Sequence, residues 1–70
     1  MNADLLLAKI KEEDLSIDSF LQSIHMSTSV WDKKIQGLNE FDREEMQRII
    51  ARLSLKDMDV MVIFFDQNVS

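Results

Sequence analysis

Seventy residues with no Cys, no Pro and a single Gly, carrying 13 acidic and 8 basic side chains for a net charge of −5, exclude a good deal at the outset. Without thiols there is neither a disulfide nor a thiolate metal site. A chain near the lower size limit for a lone hydrophobic core must then rely on apolar packing or on association. An apolar fraction of 46% speaks against disorder, and the scarcity of Gly and Pro points to helices joined by short turns. The longest apolar run, Val60 to Phe65, falls far short of a bilayer span. No basic segment followed by a long apolar stretch opens the chain. The expectation is a soluble, cytoplasmic protein without a membrane partner. The acidic balance counts against nucleic acid, because Lys and Arg supply most phosphate affinity.

One domain over residues 1–70 is expected. The first helix is expected over about 3–13, where Leu6 and Ile10 stand four apart, Leu7 widens the stripe, and Lys9, Lys11, Glu12 and Glu13 fill the other face. Ser16 reads as an N-cap for a second helix over about 17–24, in which Ile17, Phe20, Leu21 and Ile24 follow the i, i+3, i+4, i+7 pattern. His25-Met26 breaks that helix, and Ser27 reads as the N-cap of a third, over about 28–36. Gly37 stands where a helix end needs the left-handed conformation. Asp42 with Glu45 three residues on forms a capping-box pattern, with Phe41 and Met46 placed for a hydrophobic staple. Met46, Ile49, Ile50 and Leu53 then give the cleanest periodicity in the chain, over about 42–53. The expected core is Leu6, Ile10, Phe20, Ile24, Trp31, Ile35, Ile49, Ile50, Leu53 and Val62.

The last segment, about 57–65, is nearly continuous in apolar residues and would suit a buried strand. No second strand candidate exists to pair with it, so a helix is expected. Met58, Met61, Val62 and Phe65 form one stripe of that helix, and Val60, Ile63 and Phe64 form a second face. A helix apolar on most sides must be covered on most sides. The surplus face, Val60, Ile63 and Phe64, is expected to be a protein interface, used for a homodimer or a heteromer.

Two short helices joined by a tight turn, the second opened by hydroxyl residues, form a helix-turn-helix pattern over about 16–37. The stretch Ile24-His25-Met26-Ser27, followed by Ser29, Trp31 and Lys33-Lys34-Ile35-Gln36-Gly37, resembles the Cro/cI-type (xenobiotic-response-element type) regulators of phages. Glu40-Phe41, Glu45, Ile49, Leu53, Leu55 and Ile63-Phe64-Phe65 extend the resemblance over nearly the whole chain. Three positions depart from the family pattern: Ile17 replaces a phosphate-bracing Gln, Leu21 a small Ala, and His25 the Gly of the turn. The resemblance implies an all-α, five-helix domain of the lambda-repressor-like type, acting as a transcriptional regulator of a phage or other mobile element.

It also implies where double-stranded DNA would be met. Thr28, Ser29, Asp32 and Lys33 would face the major groove, with Lys33 donating to guanine and Asp32 accepting from cytosine. Lys34 and Arg43 would meet phosphates. Gln36, Leu38 and Asn39 would lie in a loop that touches the DNA backbone through N–H groups. The same residues also read as a solvated helix face and an ordinary turn. The rival function is an acidic module on the same scaffold that docks on a basic repressor, as an anti-repressor or modulator; the net charge, Asp18 and Asp32 suit that partner. His25 is the only His and reads as structural, and one Gly cannot build a phosphate-cradling loop. Nothing pairs a nucleophile with a base. No catalytic residue, metal or cofactor is expected.

Overall fold

The computed structural model describes residues 1–65, and these form five helices: α1 (Ala3–Glu12), α2 (Ile17–Ser23), α3 (Thr28–Ile35), α4 (Arg43–Leu53) and α5 (Asp57–Phe65). No strand occurs among the described residues, and the ambiguous last segment is a helix.

The helix starts follow their capping residues. Ser16 Oγ accepts the Ser19 N–H at 3.1 Å, and Ser27 Oγ accepts the Val30 N–H at 3.3 Å. The capping box is complete: the Glu45 N–H donates to Asp42 and the Asp42 N–H donates to Glu45, each at 2.8 Å. Asn2 caps α1 by accepting the Leu5 N–H at 3.0 Å. Each of these satisfies a donor that the first turn leaves without an intrahelical partner.

Four helix ends share one device. Asp14, His25, Gly37 and Ser54 all adopt positive φ, at 56°, 58°, 85° and 51°. The residue after each then donates back into the helix it has left: Leu15 to the Ile10 carbonyl, Met26 to Leu21, Leu38 to Lys33 and Leu55 to Ile50, over 2.9–3.4 Å. This is the Schellman closure, usually built on Gly. Here only one of the four left-handed positions is Gly, and at the other three an ordinary side chain bears a strain of about 1 kcal/mol.

Leu6, Ile10, Phe20, Leu21, Ile24, Trp31, Phe41, Ile49, Leu53 and Ile63 form the core. Three residues expected there, Ile35, Ile50 and Val62, are only half-buried. Leu21, Phe41 and Ile63 hold the deeper places instead. An aromatic chain runs through this core: Phe20 meets Trp31 edge-on at 5.7 Å, Trp31 meets Phe41 at 5.9 Å, and Phe41 meets Phe64 edge-on at 5.8 Å. It joins α2, α3, the connection before α4, and α5.

The orientation of α5 corrects the expected interface. Ile63 is fully buried, Val60 and Phe64 are half-buried, and Phe64 packs against the core. The face offered to solvent is the other one, with Met58 61%, Met61 39% and Phe65 58% exposed. Two contacts with α1 accompany this orientation. Lys9 Nζ stands 3.6 Å from Asp59 Oδ1, and the Asn2 N–H donates to the Ile63 carbonyl at 2.8 Å. Asp59 and Ile63 are four residues apart and share a helix face, so anchoring one toward α1 turns the other inward.

Candidate functional site

Across the connection 24–27, α2 packs against α3, and Trp31 fixes which side of α3 faces in. It is held between Phe20 and Phe41 and is 4% exposed. With Trp31 inward, helical periodicity sends Ser29, Asp32, Lys33 and Gln36 outward; these four are exposed, and so is Thr28, the first residue of the helix. Asn39, just past Gly37, and Arg43, the first residue of α4, are exposed as well. Seven of the eight residues expected to meet DNA are therefore at the surface.

The eighth, Lys34, is not. Its ammonium pairs with Glu45 Oε1, lies 5.8 Å from the centre of the Phe41 ring, and belongs to a side chain only 12% exposed. Glu45 thus serves two donors at once, the Asp42 N–H and Lys34, and ties α3 to the start of α4. The exposed cations left beside α3 are Lys33 and Arg43, among the carboxylates of Asp32 and Glu40. Glu44 is engaged by Arg48 at 2.6 Å.

A second correction concerns the loop after α3. Its backbone N–H groups are engaged within the protein: Gly37 donates to the Lys34 carbonyl at 3.1 Å, and Leu38 and Asn39 donate to Lys33 at 2.9 and 3.4 Å. The N–H groups of Gly37, Leu38 and Asn39 are thus taken, which leaves carbonyls and side chains of the loop to meet another molecule.

One of those side chains has no counterpart elsewhere in the fold. Leu15, Met26 and Leu55, which follow the other three left-handed residues, all pack against the core. Leu38 follows Gly37 in the same way yet is 70% exposed, more than any other large apolar side chain of the described residues. The sequence carries a signal for it. The closure normally brings the residue after the left-handed position against the residue five positions before it; that residue is Ile10, Leu21 and Ile50 at the other ends and Lys33 here.

Among the hollows on the surface of the described residues, two stand near these elements. One, about 430 Å³, is polar and is lined by Lys9, Glu12, Lys56 and Asp59 among others, with Lys9 bridging to Glu12 at 3.5 Å and to Asp59 at 3.6 Å. The other, about 330 Å³, is a groove bordered by Met1, Gly37, Phe41, Met46, Phe64 and Phe65. Among the described residues no group of three His, Cys, Asp or Glu is placed to hold a metal ion, and no helix is long and apolar enough to cross a membrane. Set against known proteins, the chain matches no protein-family model, no curated protein and no solved structure.

Proposed function

We propose that this chain is a small helix-turn-helix regulator of the lambda-repressor-like type that reads operator DNA with the outer face of α3. One observation carries the reading: α3 is pinned from behind by Trp31 and offers Ser29, Asp32, Lys33 and Gln36 on one outer face, with Thr28 exposed in its first turn. A groove-reading helix needs a rigid mount and short polar side chains near its N-terminus. A phage or another mobile element is the proposed setting.

The test is binding of labelled duplex DNA from around the gene at about 50 mM salt, where phosphate attraction is strong. Lys33→Ala should weaken binding and lower the log–log salt slope by roughly 1. Lys34→Ala should leave that slope alone, because Glu45 already engages the ammonium. Asp18→Asn and Asp32→Asn should each strengthen non-specific binding by removing repulsion from phosphate. Wild-type protein with no salt-dependent affinity at that salt concentration overturns the reading.

The exposure of Leu38 supports a second reading. An exposed apolar side chain suits a buried anchor in a protein contact, and the net charge of −5 suits a basic partner such as a repressor. On this reading Leu38→Ala weakens a complex with the neighbouring repressor, the Asp→Asn changes slow its association, and Lys33→Ala has little effect.

A further inference from the structure

The groove of about 330 Å³ lies where the connection between α3 and α4 meets the end of α5, and its volume is at the lower end of the range for ligand sites. Its floor belongs to the core: Phe41 and Phe64 meet there edge-on at 5.8 Å, and Met46 packs beside them against the buried cluster. Met1 and Phe65, both exposed, border it. Leu38 does not line the groove but stands between two residues that do, Gly37 and Asn39. A small molecule held in the groove would leave that leucine in water. An occupant that covers both must extend over the rim. The charges around the groove are unbalanced. Lys34 is its one lining cation, and Glu45 already pairs with it. Glu40, its one lining acid, is exposed and enters no ion pair among the described residues. Asp42 is exposed two residues on, and Asp66 follows Phe65 in the sequence. The exposed cations Lys33 and Arg43 are not among the lining residues.

We infer that this groove docks a short segment of a partner protein, one that sets an apolar side chain on the Phe41–Met46–Phe64 floor and an arginine beside it. The inference rests on the reading of Leu38 as an anchor and supplies the receptor next to that anchor. Each part of the ligand has its physical reason. The apolar side chain leaves water against apolar walls, and Met1 and Met46, unbranched and polarizable, adjust to its shape. The arginine finds two complementary groups on the same groove: the Glu40 carboxylate, which accepts a charge-assisted hydrogen bond, and the open ring of Phe65, on which a planar guanidinium stacks. Charge also chooses among occupants. A phosphate or other anion finds the one lining cation already engaged by Glu45. A second copy of the chain would bring its own Glu40 and a further net charge of −5 to an acidic site. A cationic apolar segment meets an acid that has no ion-pair partner among the described residues.

The test begins with a random library of short displayed peptides selected on the whole protein. The expected enrichment is an apolar residue close to an arginine. The most enriched peptide, synthesised with a fluorescent label, is then titrated by anisotropy against the wild type and four variants. Leu38→Ala and Glu40→Lys should each weaken binding roughly tenfold, and Glu40→Gln about threefold, as for the loss of one exposed ion pair. The loss in Glu40→Lys should shrink as salt is raised. Lys33→Ala, on the outer face of α3, should leave the affinity unchanged. Leu38 and Glu40 are exposed, so these variants should keep the helical circular dichroism. A library that enriches nothing, or enriches acidic or wholly polar peptides, overturns the proposal. A peptide weakened by Leu38→Ala but indifferent to Glu40→Lys and to Phe65→Ala overturns the groove while leaving Leu38 as an anchor. A wild type that sediments as a dimer, broken by Leu38→Ala and Phe65→Ala, puts a second copy on this surface and overturns the proposal too. None of these results bears on DNA binding, which Lys33→Ala reports separately.

Discussion

The turn from α2 to α3 and the turn from α3 to α4 are built alike and used in opposite ways. Both end a helix on a left-handed residue, His25 in one and Gly37 in the other, and both close with a backbone bond from the next residue to the third from the helix end. At the first turn the next residue is Met26, which packs into the core. At the second it is Leu38, which stands in solvent. A recurring backbone device thus does not dictate burial. The side chain it brings into reach decides, and where that is Lys33 rather than Leu21 the apolar partner is missing. The first turn is a structural joint, and the second leaves an apolar side chain free for something outside the fold.

The largest test removes what the two turns share. Trp31 sits between Phe20, ahead of the first turn, and Phe41, beyond the second. Trp31→Ala should cost about 3–5 kcal/mol, enough to unfold so small a domain, as thermal or urea denaturation would report. Truncating the packed member of the pair comes next. Met26 is half-buried, so Met26→Ala should cost about 1–2 kcal/mol, a fraction of the value for a fully buried Met. Exchanging the left-handed residues should give effects of opposite sign. His25→Gly relieves strain and should stabilise by up to about 1 kcal/mol, the relief exceeding the added freedom of the unfolded chain. Gly37→Ala should destabilise by about 1 kcal/mol through backbone strain alone, since a Cβ there meets nothing within 4 Å. The smallest effect should be that of Leu38→Ala, within about 0.5 kcal/mol of wild-type stability. A larger loss would mean that Leu38 supports the fold, and the contrast between the turns would fail.

Local signals were legible in the sequence wherever the physics is local. Ser16, Ser27 and Asp42 cap the helices they precede, and Gly37 and His25 end the helices they follow, because capping and closure bring together residues only a few apart. The amphipathic stripe of α4 placed Ile49 and Leu53 correctly, since only one of its faces is apolar. The same method turned α5 the wrong way, because a helix apolar on most sides offers two interchangeable stripes. Asp59 misleads there: its charge suggests an outward face, yet Lys9, fifty residues earlier, draws it inward. Lys34 misleads for the same reason, since Glu45 reaches it across the space between two helices and not along one. Four of the expected surface residues, Ser29, Asp32, Lys33 and Gln36, were legible as a group from a single fact, the inward placement of Trp31.

The bond from Asn2 to Ile63 has a consequence for the order in which the domain is made. Of the five described helices, α1 leaves the ribosome before the others, and α5, which packs against it, leaves after them. During synthesis the apolar side of α1 must wait, open to other contacts, until residue 63 has emerged, and only then does the longest loop in the fold close. A nascent chain stalled ahead of Ile63 would be expected to show helices without a settled core, and pulse proteolysis of arrested chains would mark the length at which protection begins.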